Sequence, residues 1–371
     1  MASLVVTNPT DFFRAEAKNA GYLSTMTTIR LALAGLGNVG RNFLKILLSQ
    51  SEVLRTGFGL DLTVVAVADS TGAAFRQDGL DPAALVALKE SRAGVAALPG
   101  LGRPGVGGVA LLDGARADVL LEATPVNLAD GQPGLDTVRS ALSRGVSCVL
   151  ANKGPLALAY QELAGLSDLA APGRPALRFS ACVGGALPTI NLGRRDLAGA
   201  RILKIEAIVN GTCQGILRAM EDGQSFEQAL AEMQRRGVAE TDPTLDVDGW
   251  DQAVKLVIIA NAVLGRPTVL ADLEVRGIRE VTVSDLEAAA ARGERIVSLA
   301  TASRPNDARD WRLVVAPVSL PASHPLARMT ADEMGVVYYT DVAGRLHATS
   351  EEADAVPTAA AMLRDVIGLP R

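Results

Sequence analysis

Histidine, cysteine and aromatic residues are scarce in this chain of 371 residues, which holds two histidines, three cysteines and 4% Phe, Trp and Tyr. A histidine zinc centre or a Ser-His-Asp triad would need His324 or His347, both late in the chain. Cys148, Cys182 and Cys213 share no metal-ligand spacing, and their odd number argues against a secreted disulfide framework, so a cytoplasmic setting is expected. No run reaches the roughly 18 apolar residues of a membrane span; the longest, residues 256–264, is interrupted by Asn261, and no membrane partner is expected. A surplus of positive charge is also missing. The net charge is -5 and Lys and Arg are scattered, which leaves no basic footprint for nucleic acid. Proton chemistry must therefore come mainly from lysines and carboxylates.

What is present is apolar material, 49% of the chain, enough for the cores of two domains. Residues 29–41 read Ile-Arg-Leu-Ala-Leu-Ala-Gly-Leu-Gly-Asn-Val-Gly-Arg, which predicts a strand, a tight turn and a helix over 41–48. Further apolar runs at 62–68, 118–121 and 146–150 close on Asp69, on Glu122-Ala123-Thr124-Pro125 and on Ala151-Asn152-Lys153. With helical stretches such as 136–143 between them, they predict an α/β, Rossmann-type doubly wound parallel sheet. Residues 92–114, rich in Gly and Pro, read as a loop excursion. From about Ala176 the texture changes to strands at 201–209 and 311–318 and helices at 225–236 and 250–264, an α+β second domain. The expected division is 1–28 as an N-terminal extension, 29–160 as the dinucleotide-binding domain, 161–335 as the second domain, and 336–371 as a C-terminal segment returning to the first. Asp11 and Glu16 make the first 25 residues unlike a signal or transit peptide, and Met26 is a candidate start.

Gly35-x-Gly37-x-x-Gly40 is a weak signal alone, but here it follows a strand and opens a helix. In that setting Gly35, Leu36, Gly37, Asn38, Val39 and Gly40 are expected to cradle the pyrophosphate of NAD or NADP against a helix N-terminus. Asp69 is placed to accept from ribose hydroxyls, which favours NAD; it could equally be a strand-end turn aspartate, and Arg41 or Arg76 could neutralise a 2′-phosphate. Thr124, Pro125 and Lys153 fall at the carboxyl edge of the sheet, where open α/β folds bind ligands, although position alone leaves Lys153 open to being a surface lysine. Residues 239–255 deliver five acids, Glu240, Asp242, Asp246, Asp248 and Asp251, ahead of Lys255. Asp251 and Lys255 share one face of a helix with no polar side, so the pair reads as buried and poised for acid–base work. A calcium loop fits the acids less well, since Pro243 breaks the run and the mid-loop glycine is missing.

Taken together, Gly-Leu-Gly-Asn-Val-Gly-Arg, Glu-Ala-Thr-Pro, Ala-Asn-Lys-Gly-Pro, Val-Gly-Gly-Ala-Leu-Pro, Asn-Gly-Thr and the acid run into Lys255 resemble the homoserine dehydrogenase family, from about Ile29 to Leu369. The resemblance implies NAD(P)-dependent interconversion of L-aspartate 4-semialdehyde and L-homoserine, on the route to threonine, methionine and isoleucine. It implies Lys255 as general acid/base, Lys153 assisting, Glu240, Asp246 and Asp251 holding the amino acid part, and Asn210, Gly211 and Thr212 lining the pocket. It also implies catalysis and homodimer formation in the second domain, the dimer joined through its sheet; threonine feedback through an appended domain after Arg371 is not expected. A monovalent cation on carbonyls near Val183, Gly185 and Leu187 accompanies many members, but Ser180 stands where they carry a glutamate, which removes a charged ligand.

Two further departures are Cys213-Gln214-Gly215, expected to make the pocket wall smaller, and the acidic segment 351–354 in place of a glycine-rich stretch near the cofactor. They keep alternatives open: an oxidoreductase of another amino acid or semialdehyde, or a catalytically weak nucleotide-binding regulatory protein. A thioester-forming cysteine enzyme lacks a convincing histidine base.

Overall fold

The computed structural model describes residues 26–167, 174–239, 242–304 and 310–370. The chain divides into two units. The first contains the residues up to Pro155, Glu162–Arg178 and the chain from Ala359; the second contains Leu156–Gln161 and Phe179–Thr358.

In the first unit, β1 (Thr27–Ala34) runs into helix α1 (Asn38–Phe58), followed by β2 (Leu60–Asp69), β3 (Gly72–Phe75), α2 (Pro82–Glu90) and β4 (Gly102–Pro104). Then come β5 (Val119–Glu122), α3 (Gly134–Ser143), β6 (Ser147–Leu150), α4 (Gly154–Leu166) and β7 (Leu177–Arg178). The strands form one sheet in the order β4-β3-β2-β1-β5-β6-β7. β2, β1, β5, β6 and β7 are parallel, and the order reverses beside β1, which makes the switch point between β1 and β5. Every residue of β5 is buried, as a parallel strand covered on both faces requires. α1 turns Phe43, Leu44, Leu47 and Leu54 inward and ends on Gly59, whose left-handed backbone (φ 64°) caps it.

The expected loop at 92–114 is only partly irregular: it holds two 3-10 turns and β4, which pairs antiparallel with β3. Weak periodicity concealed β4 because it is three residues long at a sheet edge.

The second unit is built on β8 (Ile202–Ile208), α5 (Gly211–Glu221), α6 (Phe226–Arg235), α7 (Trp250–Ala262), β9 (Glu274–Val275), α8 (Val283–Ala291), β10 (Glu294–Ser303), β11 (Arg312–Pro321), β12 (Glu333–Thr340) and β13 (Arg345–Glu351). Its sheet has the order β13-β12-β8-β10-β11-β9, antiparallel except for β9. A capping box between Ser225 and Gln228 starts α6. α7 is buried on all sides from Gln252 to Asn261, so each of its Leu, Val and Ile side chains contributes roughly 1.5–3 kcal/mol of burial.

The expected boundaries need two corrections. β7 extends the first sheet to Arg178 rather than ending that region at 160. Residues 336–351 do not return to the first unit; they are strands of the second sheet, because β12 pairs with β8. Only within the final helix α9 (Val356–Ile367), from Ala359 onward, does the chain group with the first unit.

Candidate active site

The β1–α1 turn shows why glycines stand where they do. Gly35 has φ +96°, and a Cβ there would fall 2.4 Å from the Ala123 carbonyl oxygen at the end of β5. A Cβ on Gly40 would fall 2.2 Å from the Gly35 carbonyl oxygen. Gly37 differs, since nothing lies within 4 Å of where its side chain would be. It is the N-cap of α1, with no side-chain cap and no acid in the first turn. The first amides of a 21-residue helix therefore have no side-chain cap and meet no acid, a partial positive charge that a pyrophosphate can use, and the turn fits a dinucleotide. Gly37 and Asn38 are exposed and Val39 is partly so, but the side chain of Leu36 is core, leaving it only a backbone to offer.

Both carboxylate oxygens of Asp69 are engaged within the first unit. Oδ1 accepts from the Thr71 amide at 2.9 Å and the Thr71 hydroxyl at 2.6 Å. Oδ2 accepts from Lys89 Nζ at 2.7 Å and the Val95 amide at 3.1 Å, and the side chain is 7% exposed. Burial opposes its ionisation, but these four bonds outweigh it and hold the carboxyl below the usual range. These are the contacts of a strand-end turn aspartate. Lys89 reaches the strand end from the last turn of α2 and neutralises the aspartate.

At the ends of β5 and β6, Thr124 donates its amide (2.9 Å) and its hydroxyl to Glu122 Oε1. Asn152 Nδ2 donates to Thr124 Oγ1 at 3.1 Å and to the Pro125 carbonyl at 3.5 Å, while Asn152 Oδ1 accepts from the Gly154 amide at 2.9 Å. Lys153, partly buried, is thereby presented at the N-cap of α4. Glu122 and Lys89 were not singled out from sequence. The available signal for Glu122 was a carboxylate closing a wholly apolar strand.

In the second unit one network gathers most of the expected residues. Lys255 is 7% exposed; its Nζ donates to Asp251 Oδ2 at 2.7 Å and to the Val209 carbonyl. Asn210 Nδ2 donates to Asp251 Oδ2 at 2.8 Å and to Asp246 Oδ1 at 2.7 Å. The Thr212 hydroxyl donates to Asp246 Oδ2 at 3.0 Å. Asn210 also caps α5 through the Cys213 amide at 2.8 Å, so one side chain fixes both the helix start and two carboxylates. Gly211, the first residue of α5, lies beside it. Burial, and then the Asp251 charge, raise the Asp246 carboxyl above its ordinary range. Glu240 lies outside the described residues. Chemically, the network holds a buried ammonium between a carboxylate and a carbonyl, an arrangement able to exchange a proton with a substrate oxygen.

The sequence departures have local explanations. Gln214 donates to the Thr330 carbonyl at 3.1 Å, and a Cβ on Gly215 would fall 2.4 Å from Met233 Sδ, so both face the protein interior. Of the three, only Cys213 meets the network, through the Asp246 carbonyl at 3.1 Å, and the wall is not made smaller by Gly215. All three cysteines are buried, and burial pushes the Cys148 and Cys213 thiols well up, which disfavours the thiolate of a thioester route at those two. Glu352 accepts from the Ala186 amide at 2.7 Å and the Ser350 hydroxyl at 2.9 Å, and Asp354 accepts from the Val356 amide at 2.8 Å, so these acids are engaged within their own unit. Among the described residues no group of three or more His, Cys, Asp or Glu is placed to hold a metal ion.

The homoserine dehydrogenase family model matches residues 188–367, and the homoserine dehydrogenase NAD binding domain matches residues 35–171. A homoserine dehydrogenase of Methanocaldococcus jannaschii is 36% identical over 338 residues, 91% of this chain and 97% of the relative. This chain belongs to the homoserine dehydrogenase family. An NAD(+)-dependent homoserine dehydrogenase of Pseudomonas canavaninivorans is 34% identical over 92% of the chain and 96% of the relative. A hyperthermophilic archaeal homoserine dehydrogenase in complex with NADPH superposes with a TM-score of 0.78 at 25% identity, covering 92% of this chain and 97% of that one. The NAD binding domain match falls largely in the first unit and the homoserine dehydrogenase match largely in the second.

Proposed function

We propose that this chain interconverts L-aspartate 4-semialdehyde and L-homoserine with Lys255 as the proton-exchanging group. The observation that carries the reading is the placement of Lys255 Nζ, buried and 2.7 Å from Asp251, in a network with Asp246, Asn210 and Thr212. The nicotinamide group, when bound, supplies or takes up the hydride. In reduction Lys255 gives a proton to the aldehyde oxygen, and in oxidation it takes one from the hydroxyl. Asp251 and the Val209 carbonyl take two of its three N–H donors and aim the third at the substrate oxygen, where the ammonium stabilises developing alkoxide charge. Asp246 and Glu240 attract the substrate ammonium, Gly211 and Thr212 line the pocket beside it, and Lys153 assists from the turn after β6.

Both NAD and NADP serve as cofactor in this reading. Lys89 pairs with the Asp69 carboxylate and offsets the charge that would repel a 2′-phosphate, which supports use of NADP beside the NAD that the sequence favours. No helix is long and apolar enough to cross a membrane among the described residues. The three buried cysteines form no disulfide, which suits a reducing cytoplasm, and a homodimer is the expected assembly, to be read by gel filtration against the 38.5 kDa chain.

The test is a comparison of L-homoserine with 4-hydroxybutanoate, which keeps the alcohol and carboxylate but lacks the ammonium group. A site that holds the ammonium on Asp246 and Glu240 rejects the analogue by about a hundredfold or more in kcat/KM. Equal use of both compounds would overturn the assignment of the acids.

A further inference from the structure

Glu122 closes β5 with its carboxyl 0% exposed, and the mechanism gives it no task. Oε1 accepts from the Thr124 amide at 2.9 Å, from the Thr124 hydroxyl and from Asn152 Nδ2 at 3.4 Å. Oε2 has no hydrogen-bond partner. Burial holds the carboxyl above its ordinary range against these hydrogen bonds, and no cation is among the influences on it. Of the residues packed around it, Cys148 on β6 is a titratable but buried thiol, and Asn152, Thr124 and Gly134, the last opening α3, carry no charge. An ionised carboxylate with one bare oxygen would be an uncompensated buried charge, whereas the neutral acid leaves only one uncharged donor unmet, the smaller cost.

These bonds tie the turn after β5, Thr124–Pro125, to the turn after β6, which presents Lys153. Both lie at the carboxyl edge of the sheet, and Gly35 of the pyrophosphate turn packs on the carbonyl next to Glu122. A negative charge at that place would oppose an entering pyrophosphate. We propose that Glu122 is a positioning residue that works as an un-ionised carboxylic acid, locking the two turns that border the dinucleotide crevice without adding charge to it. Its cofactor arm rests on the dinucleotide reading of the β1–α1 turn; its protonation arm does not.

The experiment uses the full chain and three variants, Glu122→Gln, Glu122→Asp and Glu122→Ala. Infrared difference spectroscopy of wild type against Glu122→Gln at neutral pH reads the protonation state directly. The expected result is a carboxylic-acid carbonyl band in the wild type that the variant lacks, and its absence overturns the proposal. Equilibrium binding of NAD and NADP, followed by protein fluorescence, reads the positioning. Glutamine, the shape of the neutral acid, keeps affinity within about twofold, while Asp and Ala weaken it about tenfold, the worth of an ordinary hydrogen bond. Glutamine binding as weakly as alanine would mean that the charge matters and would also overturn the proposal. If Glu122→Ala does not fold, the glutamine comparison and the spectrum still decide. A wild type with the acid band but no affinity for either dinucleotide would instead sink the cofactor reading of the turn.

Discussion

Replacing Lys255 by methionine removes the ammonium group while keeping an unbranched chain within a helix buried from Gln252 to Asn261. If Lys255 exchanges the proton with the substrate oxygen, the loss is the general acid–base contribution, roughly 10²- to 10⁴-fold in kcat. At about 1.36 kcal/mol per decade this is ~2.7–5.5 kcal/mol of barrier. Stability also falls, because Asp251 Oδ2 loses a donor 2.7 Å away. Unpairing a buried ion pair costs about 3–5 kcal/mol. Here Asn210 still donates to the same oxygen at 2.8 Å and the Asp251 side chain keeps 14% exposure, so roughly 1–3 kcal/mol is expected. The two effects separate in the double variant Lys255→Met/Asp251→Asn, which recovers stability by removing the stranded carboxylate but does not recover turnover. The assay is nicotinamide absorbance in a single turnover, beside urea unfolding of the same preparations. A folded Lys255→Met enzyme that keeps kcat within about tenfold of wild type would refute the reasoning.

Other outcomes follow from neighbouring groups. Asp246→Asn places an amide against the donors Asn210 and Thr212, and should raise KM for homoserine about tenfold with a smaller effect on kcat; an unchanged KM would exclude Asp246 from substrate binding. Lys89→Met unmasks the Asp69 carboxylate, and should weaken NADP relative to NAD by roughly tenfold at low salt; an unaltered ratio would place the ribose elsewhere. Glu122 gives a stability signature whose sign is fixed. In the unfolded chain it ionises above about pH 4.3, while in the fold its carboxyl is held above that range. Wild-type stability therefore declines as pH rises from the unfolded towards the folded value, at up to ~1.4 kcal/mol per pH unit, and Glu122→Gln abolishes that slope. A stability gap between the two proteins that stays constant from about pH 5 to 8 would contradict it.

The elements that position the site were legible wherever periodicity was strong. The first strand, the glycine turn and the apolar runs ending at Asp69, Glu122 and Leu150 all appear where the pattern put them. Asp251 and Lys255 were legible too, because an i,i+4 pair on an all-apolar helix has to be buried. What escaped were features set by partners distant in sequence. The role of Asp69 turns on Lys89, 20 residues later, and Glu122 matters because Asn152, 30 residues on, closes over it. β12 and β13 escaped as members of the second sheet because β12 pairs with β8, far earlier in the chain, which local pattern does not report. Gly215 looked like a smaller pocket wall until its contact with Met233 turned it towards the interior.

The most direct measurement is the nicotinamide absorbance change when the wild-type chain meets L-homoserine with NAD, and separately with NADP, with the product identified. The account predicts reduced cofactor appearing in step with L-aspartate 4-semialdehyde, with both dinucleotides. Absence of turnover with either, in a folded protein that binds them, would contradict it.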